Sequence, residues 1–197
     1  MLISISGSQG AGKTTIINEL KQRGFPVVER KTSRSILQDW NVTLEEVNTD
    51  LALAVKFQEE ILKRKWYDEL TYYDNKEICF TERTYIDLMV YAIITFGKHN
   101  EYAEWLDEYC SRCLARTKGS YIHNFFIKAG HFQIEKDGVR GHSKYYSKLV
   151  DTTMLSFYKE NIEPYHLTVI DTPTIEDRVN IIFDKLNHNL ILTHSSK

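Results

Sequence analysis

Four residues near the start of the chain have types and spacing that suit phosphate chemistry. Gly7, Gly12, Lys13 and Thr14 satisfy the pattern Gly-x-x-x-x-Gly-Lys-[Ser/Thr]. Glycines let a loop wrap closely around a phosphate, so that backbone N–H groups and the positive end of the following helix face the anion. The sequence therefore predicts a P-loop that binds a nucleoside triphosphate.

The residues of this loop have distinct expected roles, and ATP and Mg²⁺ are the expected cofactors. Lys13 is expected to bridge the β and γ phosphates, and Thr14 to place its hydroxyl on the metal ion. The residues expected to contact the nucleotide are Gly7, Ser8, Gln9, Gly10, Ala11, Gly12, Lys13, Thr14 and Thr15.

Phosphoryl transfer also needs a carboxylate, either to organise Mg²⁺ or to take the proton from an attacking hydroxyl. Glu82 and Glu29 each follow a predicted strand. The C-terminal ends of parallel strands lie at the same edge of a sheet as the P-loop, so both glutamates can face the nucleotide. Glu82 is expected to bind the metal together with Thr14 and to have the larger kinetic effect. Which glutamate is the catalytic base stays open.

Cations are needed to neutralise the charge that develops on the transferred group. The candidates are Arg83, Arg34 and Arg140, and Asp87 lies close to Arg83 in the sequence. Of these residues, Arg83 and Arg140 are expected to be catalytic, together with Lys13.

The elements that must position these residues alternate between strand and helix. Strands are predicted at Leu2–Ser6, Phe25–Glu29, Glu77–Thr81, Tyr121–Ile127 and Leu167–Ile170. Helical spacing follows each of them, and a capping box at Thr43–Glu46 is predicted to begin a long helix toward Trp66. The alternation predicts an α/β fold, in which helices cover both faces of a parallel sheet of about five strands.

Length and composition limit the organisation of the chain. With 197 residues, 42% of them hydrophobic, and no linker or repeat, the sequence predicts a single domain over residues 1–197, with a frayed polar tail at 187–197. No apolar stretch approaches the roughly 20 residues that span a bilayer, so no membrane association is expected. Three cysteines without a secretory signal favour reduced thiols and a cytoplasmic location.

Positive charge is concentrated in one part of the sequence. Residues 111–148 contain eight Lys or Arg against two Asp or Glu, whereas the whole chain has a net charge of -2. Aromatic residues are interleaved with these cations, among them Tyr145 and Tyr146. Cations with stacking rings favour a polyanionic, base-bearing ligand, although a solvated lid would have the same composition.

Taken in order, these motifs resemble the NadR-like ribosylnicotinamide kinase group of P-loop kinases over nearly the whole chain. Besides the P-loop, the matching stretches are Glu29–Leu37, Phe80–Arg83 with Asp87, Asp137–Arg140 and Asp177–Val179. The resemblance implies a kinase-type P-loop NTPase fold with a lid over the phosphates, at about residues 130–145, that carries Arg140.

The sequence departs from this family at two positions that matter for chemistry. Glu82 stands where the family usually has Asp, and Arg34 follows Glu29 by five residues where the family's Arg commonly follows by three. The acceptor site is therefore expected to differ. The run Glu82-Arg83-Thr84 also resembles the Glu-Arg-Ser element of deoxynucleoside kinases, which implies a nucleoside-like acceptor.

The sequence thus predicts an ATP-dependent kinase that transfers the γ-phosphate to a hydroxyl of a nucleoside- or nucleotide-type acceptor. Two alternatives remain. One is a DNA kinase that phosphorylates a hydroxymethylated pyrimidine, such as 5-hydroxymethyluracil, within modified DNA, as in phage DNA hypermodification. The other is an ATP-binding sensor or switch without kinase activity, because P-loops serve switches as well as kinases.

Overall fold

A parallel β-sheet forms the centre of the fold. The computed structural model describes residues 1–29, 33–73, 77–131 and 144–194. Within them the sheet has four strands in the order β2-β1-β3-β4, and all neighbouring strands are parallel. The strands are β1 (Leu2–Ser6), β2 (Cys79–Glu82), β3 (Tyr121–Ile127) and β4 (Leu167–Ile170). Strand β1 therefore lies inside the sheet, and the glycine loop follows it between β2 and β3.

Helices cover both faces of this sheet. They are α1 (Lys13–Gln22), α2 (Ser33–Trp40), α3 (Leu44–Thr49), α4 (Leu51–Tyr73), α5 (Tyr85–Phe96), α6 (Ala103–Ser120), α7 (Lys144–Asn161) and α8 (Ile175–His194). Successive strand residues point to opposite faces. Accordingly, Leu2 packs in the apolar cluster of α4 to α7, whereas Ile3 and Ile5 pack with α1 and α8. The predicted α/β class is confirmed.

The predicted strand at Phe25–Glu29 is reduced to a single bridge at the edge of the sheet. Val27 pairs with Phe80 of β2, and the Val28 N–H donates to the Phe80 carbonyl at 2.9 Å. The pairing does not extend further back, because the Phe25 N–H is used to close α1 by donating to the Leu20 carbonyl at 3.1 Å. The segment still brings Glu29 to the same cavity as Glu82, at the C-terminal end of β2.

The predicted long helix after the capping box is divided in two. Thr43 and Glu46 form the box as expected, with the Glu46 N–H donating to Thr43 Oγ1 at 3.2 Å. Helix α3 then ends at Thr49. The next residue, Asp50, has extended backbone, and its Oδ1 accepts the Leu53 N–H at 3.0 Å. Helix α4 begins at once and continues past Trp66 to Tyr73, where a polar run predicts its end.

The last helix extends into the predicted polar tail. Helix α8 begins after Thr174, whose Oγ1 accepts the Asp177 N–H at 3.1 Å, and it continues to His194. Residues 187–194 belong to this helix, and they contain neither Gly nor Pro that would end it. Fraying of the tail stays a prediction. Residues 195–197 lie outside the described part of the chain.

Candidate phosphate-binding and acceptor site

The loop from Gly7 to Gly12 leaves β1 in a conformation that only glycine accommodates well. Gly7 has φ 139°, and a Cβ atom there would lie 2.3 Å from the carbonyl oxygen of Ile127 on β3. Gly12 precedes α1 with φ 89°, in the left-handed region. The loop can therefore run against the end of β3 and turn directly into the helix.

Lys13 begins α1 and folds back over the loop. Its side chain is buried, and Nζ donates a hydrogen bond to the Ser8 carbonyl at 2.8 Å. Thr14 and Thr15 follow on the exposed side of the first turn of α1. The structure thus places an ammonium group and the N-terminal end of a helix beside the loop predicted to hold the phosphates.

The hydroxyl of Thr14 meets the carboxylate of Glu82. Thr14 Oγ1 donates to Glu82 Oε2 at 3.2 Å, across the junction of α1 and the end of β2. A hydroxyl and a carboxylate are oxygen ligands of the kind that Mg²⁺ accepts. The two residues predicted to hold the metal therefore fit one common site. Among the described residues, no group of three or more His, Cys, Asp or Glu forms a further metal-binding cluster.

Glu29 lies in a different environment. Its side chain is 75% exposed and forms an ion pair with Lys21 of α1. Glu82 is less exposed, at 26%. The structure therefore places the two glutamates in different environments, because Glu82 contacts Thr14 and Glu29 lies at the protein surface. Which of them is the catalytic base stays a prediction.

Both glutamates border a cavity of about 180 Å³ beside the P-loop. The cavity lies between α1, the segment around Val27, the start of α2 and the end of β2. Its lining combines apolar, hydroxyl, amide and charged side chains: Ile17, Asn18, Lys21, Val27, Val28, Glu29, Ser33, Glu82 and Arg83. Such a mixed lining suits a small polar organic molecule. A larger surface depression, of about 680 Å³, lies between α2 and α4 and shares none of these residues.

Arg83 adds a cation to the cavity wall. Its guanidinium lies 5.9 Å from the centroid of the Tyr91 ring and 3.9 Å from Glu82 Oε1. Burial by itself favours the neutral form, but Tyr91, Glu82 and Asp87 outweigh this effect and raise the pKa of Arg83. The charge therefore persists beside the predicted metal site.

Asp87 lies beneath the loop, in the first turn of α5. Oδ1 accepts hydrogen bonds from Ser6 Oγ and, at 3.1 Å, from the Tyr158 hydroxyl. Oδ2 is buried without a hydrogen-bond partner in the described part of the chain. Burial raises the pKa of Asp87, and the positive charges of Lys13 and Arg83 oppose that rise. Asp87 therefore holds Ser6, the residue that directly precedes the glycine loop.

The family relationship follows from a sequence comparison. The model of the AAA_28 family, described as an AAA domain, matches residues 2–178, which include the loop, Glu82 and Asp87. The chain belongs to this family. No curated protein sequence shows significant similarity to this AAA-domain protein.

Solved structures share the fold. Deoxyadenosine kinase from M. mycoides with bound dATP has a TM-score of 0.70 and 21% identity, and the match covers 95% of this chain and 100% of that one. The same enzyme with products dCMP and a flexible dCDP has a TM-score of 0.71. NadR protein in complex with NR has a TM-score of 0.67 and 18% identity, covering 95% of this chain and 50% of that one. The resemblance drawn from the motifs is thereby confirmed.

Two further residues of the AAA-domain protein hold the loop from outside it. Asp151 of α7 accepts hydrogen bonds from Ser8 Oγ at 3.0 Å and from the Ala129 N–H at 3.1 Å. Arg178 of α8 is fully buried and donates to the Ala11 carbonyl at 2.6 Å. Only Arg178 belongs to a motif recognised in the sequence, the run Asp177-Arg178-Val179. Asp151 is a lone carboxylate in a helix, and nothing in its local pattern marks it.

Two predicted cations are not placed at the cavity. Arg34 is exposed in the first turn of α2 and does not line it. Arg140 lies outside the described residues, as do positions 132–143 of the predicted lid.

Three of the described cations of the basic segment make intramolecular contacts. Arg112 pairs with Glu59, Arg116 lies 4.3 Å from the Trp66 ring centroid, and Lys128 pairs with Asp171. The rings Tyr121, Phe125 and Phe126 are buried, whereas Tyr145 is exposed.

No helix among the described residues is long and apolar enough to cross a membrane.

Proposed function

We propose that this protein is an ATP-dependent kinase that transfers the γ-phosphate to a hydroxyl of a free nucleoside- or nucleotide-type acceptor. The observation that carries the proposal is the contact between Thr14 and Glu82 at the wall of the 180 Å³ cavity. This arrangement brings a metal-binding pair, a P-loop and a compartment for a second substrate together. A nucleoside-type acceptor is supported by the shared fold of deoxyadenosine kinase.

The nucleotide end of the site is assigned to the P-loop. Backbone N–H groups of Gly7 to Thr15 surround the phosphates, and Lys13 neutralises the β and γ groups. Thr14 and Glu82 would hold Mg²⁺, which, when bound, neutralises charge on the phosphate oxygens.

The acceptor end of the site is assigned to the cavity. The acceptor hydroxyl oxygen forms a bond to the γ-phosphorus, the bond to the β-phosphate oxygen breaks, and its electron pair leaves with ADP. Glu29 takes the hydroxyl proton, since Glu82 is committed to Thr14 and the metal. Arg83 neutralises charge on the group in transfer from the cavity wall.

A second candidate function is phosphorylation of a hydroxymethylated pyrimidine within DNA. The excess of positive charge in residues 111–148 favours it, and Lys118, Lys148 and Tyr145 are exposed in the described part of the chain. Arg112, Arg116 and Lys128 make intramolecular contacts, however, which leaves fewer cations to track a phosphate backbone. The free acceptor is therefore preferred.

The acceptor is tested by incubating the protein with γ-labelled ATP, Mg²⁺ and separate acceptors. These are the nucleosides, the nucleoside monophosphates, and DNA with or without 5-hydroxymethyluracil. We expect label on a free nucleoside or nucleotide. Label on the modified DNA alone would favour the second candidate, and label released only as inorganic phosphate would favour an ATP sensor. Binding to DNA should also weaken steeply with salt if the protein contacts several phosphates.

A further inference from the structure

Glu82 and Arg83 are consecutive residues, yet both line the same cavity. Along an extended strand, successive side chains point to opposite faces. Strand β2 ends at Glu82, and Arg83 has φ 67°, which lies in the left-handed region. The chain therefore turns at Arg83, and this turn brings the carboxylate and the guanidinium to one side. Left-handed backbone is disfavoured in residues other than Gly, Asn and Asp, so the turn needs support from its surroundings.

The backbone of Arg83 is held at both of its polar groups. Its N–H donates to the Ile5 carbonyl of β1 at 2.8 Å, which continues the pairing of the sheet. Its carbonyl accepts a hydrogen bond from Lys65 Nζ at 2.9 Å. The second contact comes from a side chain of α4, 18 residues earlier in the chain. Lys65 thus supports the residue at which the chain turns.

Lys65 is itself held by a buried carboxylate. The exposure of Lys65 is 1% and that of Glu69 is 0%, and Lys65 Nζ lies 2.6 Å from Glu69 Oε1. Glu69 also accepts hydrogen bonds from Thr81 Oγ1 at 2.9 Å and from the Tyr85 hydroxyl at 2.8 Å. A hydroxyl from Tyr121 adds contacts at 3.1 and 3.2 Å. Buried charges require this degree of pairing and hydrogen bonding.

The network of Lys65 and Glu69 lies next to two residues of the cavity wall, Glu82 and Arg83. Thr81 precedes Glu82 on β2, and Tyr85 opens α5 directly after the turn, so Glu69 contacts residues on both sides of Arg83. Two apolar residues in place of Lys65 and Glu69 would pack without the cost of burying charge, but they would donate nothing to the Arg83 carbonyl.

We propose that Lys65, held by Glu69, is a positioning residue for phosphoryl transfer. Through the Arg83 carbonyl it holds the turn that aims the Glu82 carboxylate at Thr14 and the Arg83 guanidinium at the cavity. This role rests on the proposed kinase function. Lys65 does not touch the substrates, and its effect is expected on turnover more than on nucleotide affinity.

The test compares Lys65→Met/Glu69→Gln with Glu69→Gln alone. The single variant keeps the lysine donor to Arg83 and a side-chain oxygen for the hydroxyls, whereas the double variant also removes the donor. The double variant leaves no uncompensated buried charge, whereas Glu69→Gln leaves that of Lys65 and is expected to be the less stable of the two. The matched control is Arg112→Met/Glu59→Gln. It removes an ion pair between α4 and α6 that does not involve Arg83. For each variant the thermal unfolding midpoint, the ATP dissociation constant, kcat and KM are measured.

Relative to Glu69→Gln, the double variant is expected to lower kcat by about tenfold or more, because small misplacements of reacting groups are costly. Its ATP dissociation constant should stay within about threefold, and the control should change stability but not kcat. Equal kcat values for Glu69→Gln and Lys65→Met/Glu69→Gln would overturn the proposal. An equally large loss of kcat in the control Arg112→Met/Glu59→Gln would do the same.

A measurement on the wild type covers the case in which the double variant does not fold. With ¹⁵N-labelled lysine and ¹³C-labelled carbonyls, a through-hydrogen-bond coupling between Lys65 Nζ and the Arg83 carbonyl is expected in the protein with and without nucleotide. Its absence would overturn the proposal. If the wild type phosphorylates no acceptor, the kinase assignment fails, while the coupling still decides whether Lys65 holds the turn.

Discussion

Thr14 Oγ1 lies 3.2 Å from Glu82 Oε2, although 68 residues separate the two in sequence. The contact joins the first turn of α1 to the end of β2, and it exists because β1 and β2 are parallel neighbours whose C-terminal ends meet at one edge. In the proposed mechanism this carboxylate organises Mg²⁺ together with Thr14, and Glu29 is the group at the acceptor side.

Lys13 is expected to be needed for turnover and not for folding. In Lys13→Ala, kcat should fall by about 100-fold or more, because a cation aimed at the transferred phosphate is removed. Nζ donates to a loop carbonyl, and Lys13 belongs to neither apolar core cluster, so the variant should still fold. Lys159→Ala, at an exposed position of α7, is the control for loss of a lysine. Turnover of Lys13→Ala close to wild type would contradict the assigned role.

Glu82→Gln is expected to act through the metal. The variant should lower kcat by about 100-fold and raise the Mg²⁺ concentration needed for half-maximal rate, because a charged oxygen ligand is replaced by a neutral one. The measurement is a Mg²⁺ titration of the initial rate at saturating ATP. An unchanged Mg²⁺ requirement would mean that Glu82 does not hold the metal.

Glu29→Gln should separate the base from the metal ligand. We expect a fall in kcat of about 100-fold or less, with the Mg²⁺ requirement of the wild type, because proton removal is lost while the metal site is intact. Lys21→Met removes the ion-pair partner of Glu29 and serves as the comparison. If Glu29→Gln shifts the Mg²⁺ titration and Glu82→Gln does not, the two roles are exchanged.

The buried carboxyl of Asp87 should make stability depend on pH. Burial raises its pKa above the ordinary 3.8, and the hydrogen bond from Ser6 and the charge of Lys13 only partly offset this. A group with a raised folded pKa stabilises the protein most below its unfolded pKa, and this stability is lost as pH rises through the folded pKa. The free energy of unfolding of the wild type relative to Asp87→Asn should therefore fall as the pH rises above 3.8 and through the raised pKa of Asp87 in the folded protein.

Urea unfolding of both proteins at several pH values provides the measurement for Asp87. Because the side chain introduced in Asp87→Asn does not titrate, the contributions of groups that do not interact with Asp87 cancel in the difference between the two proteins. A difference that stays constant or grows with pH would show that the carboxyl is not destabilised by its burial.

Much of the fold is encoded in local patterns. The strands Tyr121–Ile127 and Leu167–Ile170 appear with the predicted bounds, because each is an apolar run followed directly by a change in pattern. Helix α5 starts after Thr84 and ends before Gly97, where capping chemistry predicts both limits. The P-loop and Glu82 were identified in the same way, since motif and strand end are both local.

The network of Lys65 and Glu69 could not be predicted from local sequence patterns. Lys65 and Glu69 are spaced as an ordinary ion pair on an exposed helix face, and only tertiary packing buries them. The groups that make this burial tolerable come from Thr81, Tyr85 and Tyr121, which lie 12, 16 and 52 residues from Glu69. The same reason applies to Asp151, whose partner Ser8 is 143 residues away.

The stoichiometry of product formation tests the kinase assignment most directly. ADP and phosphorylated acceptor are measured together by chromatography after reaction of ATP and Mg²⁺ with the best acceptor of the nucleoside panel. We predict that ADP formation depends on the acceptor and that about one phosphorylated acceptor appears per ADP, as phosphoryl transfer to a bound hydroxyl requires. ADP formed at the same rate with and without acceptor, accompanied only by inorganic phosphate, would contradict the account.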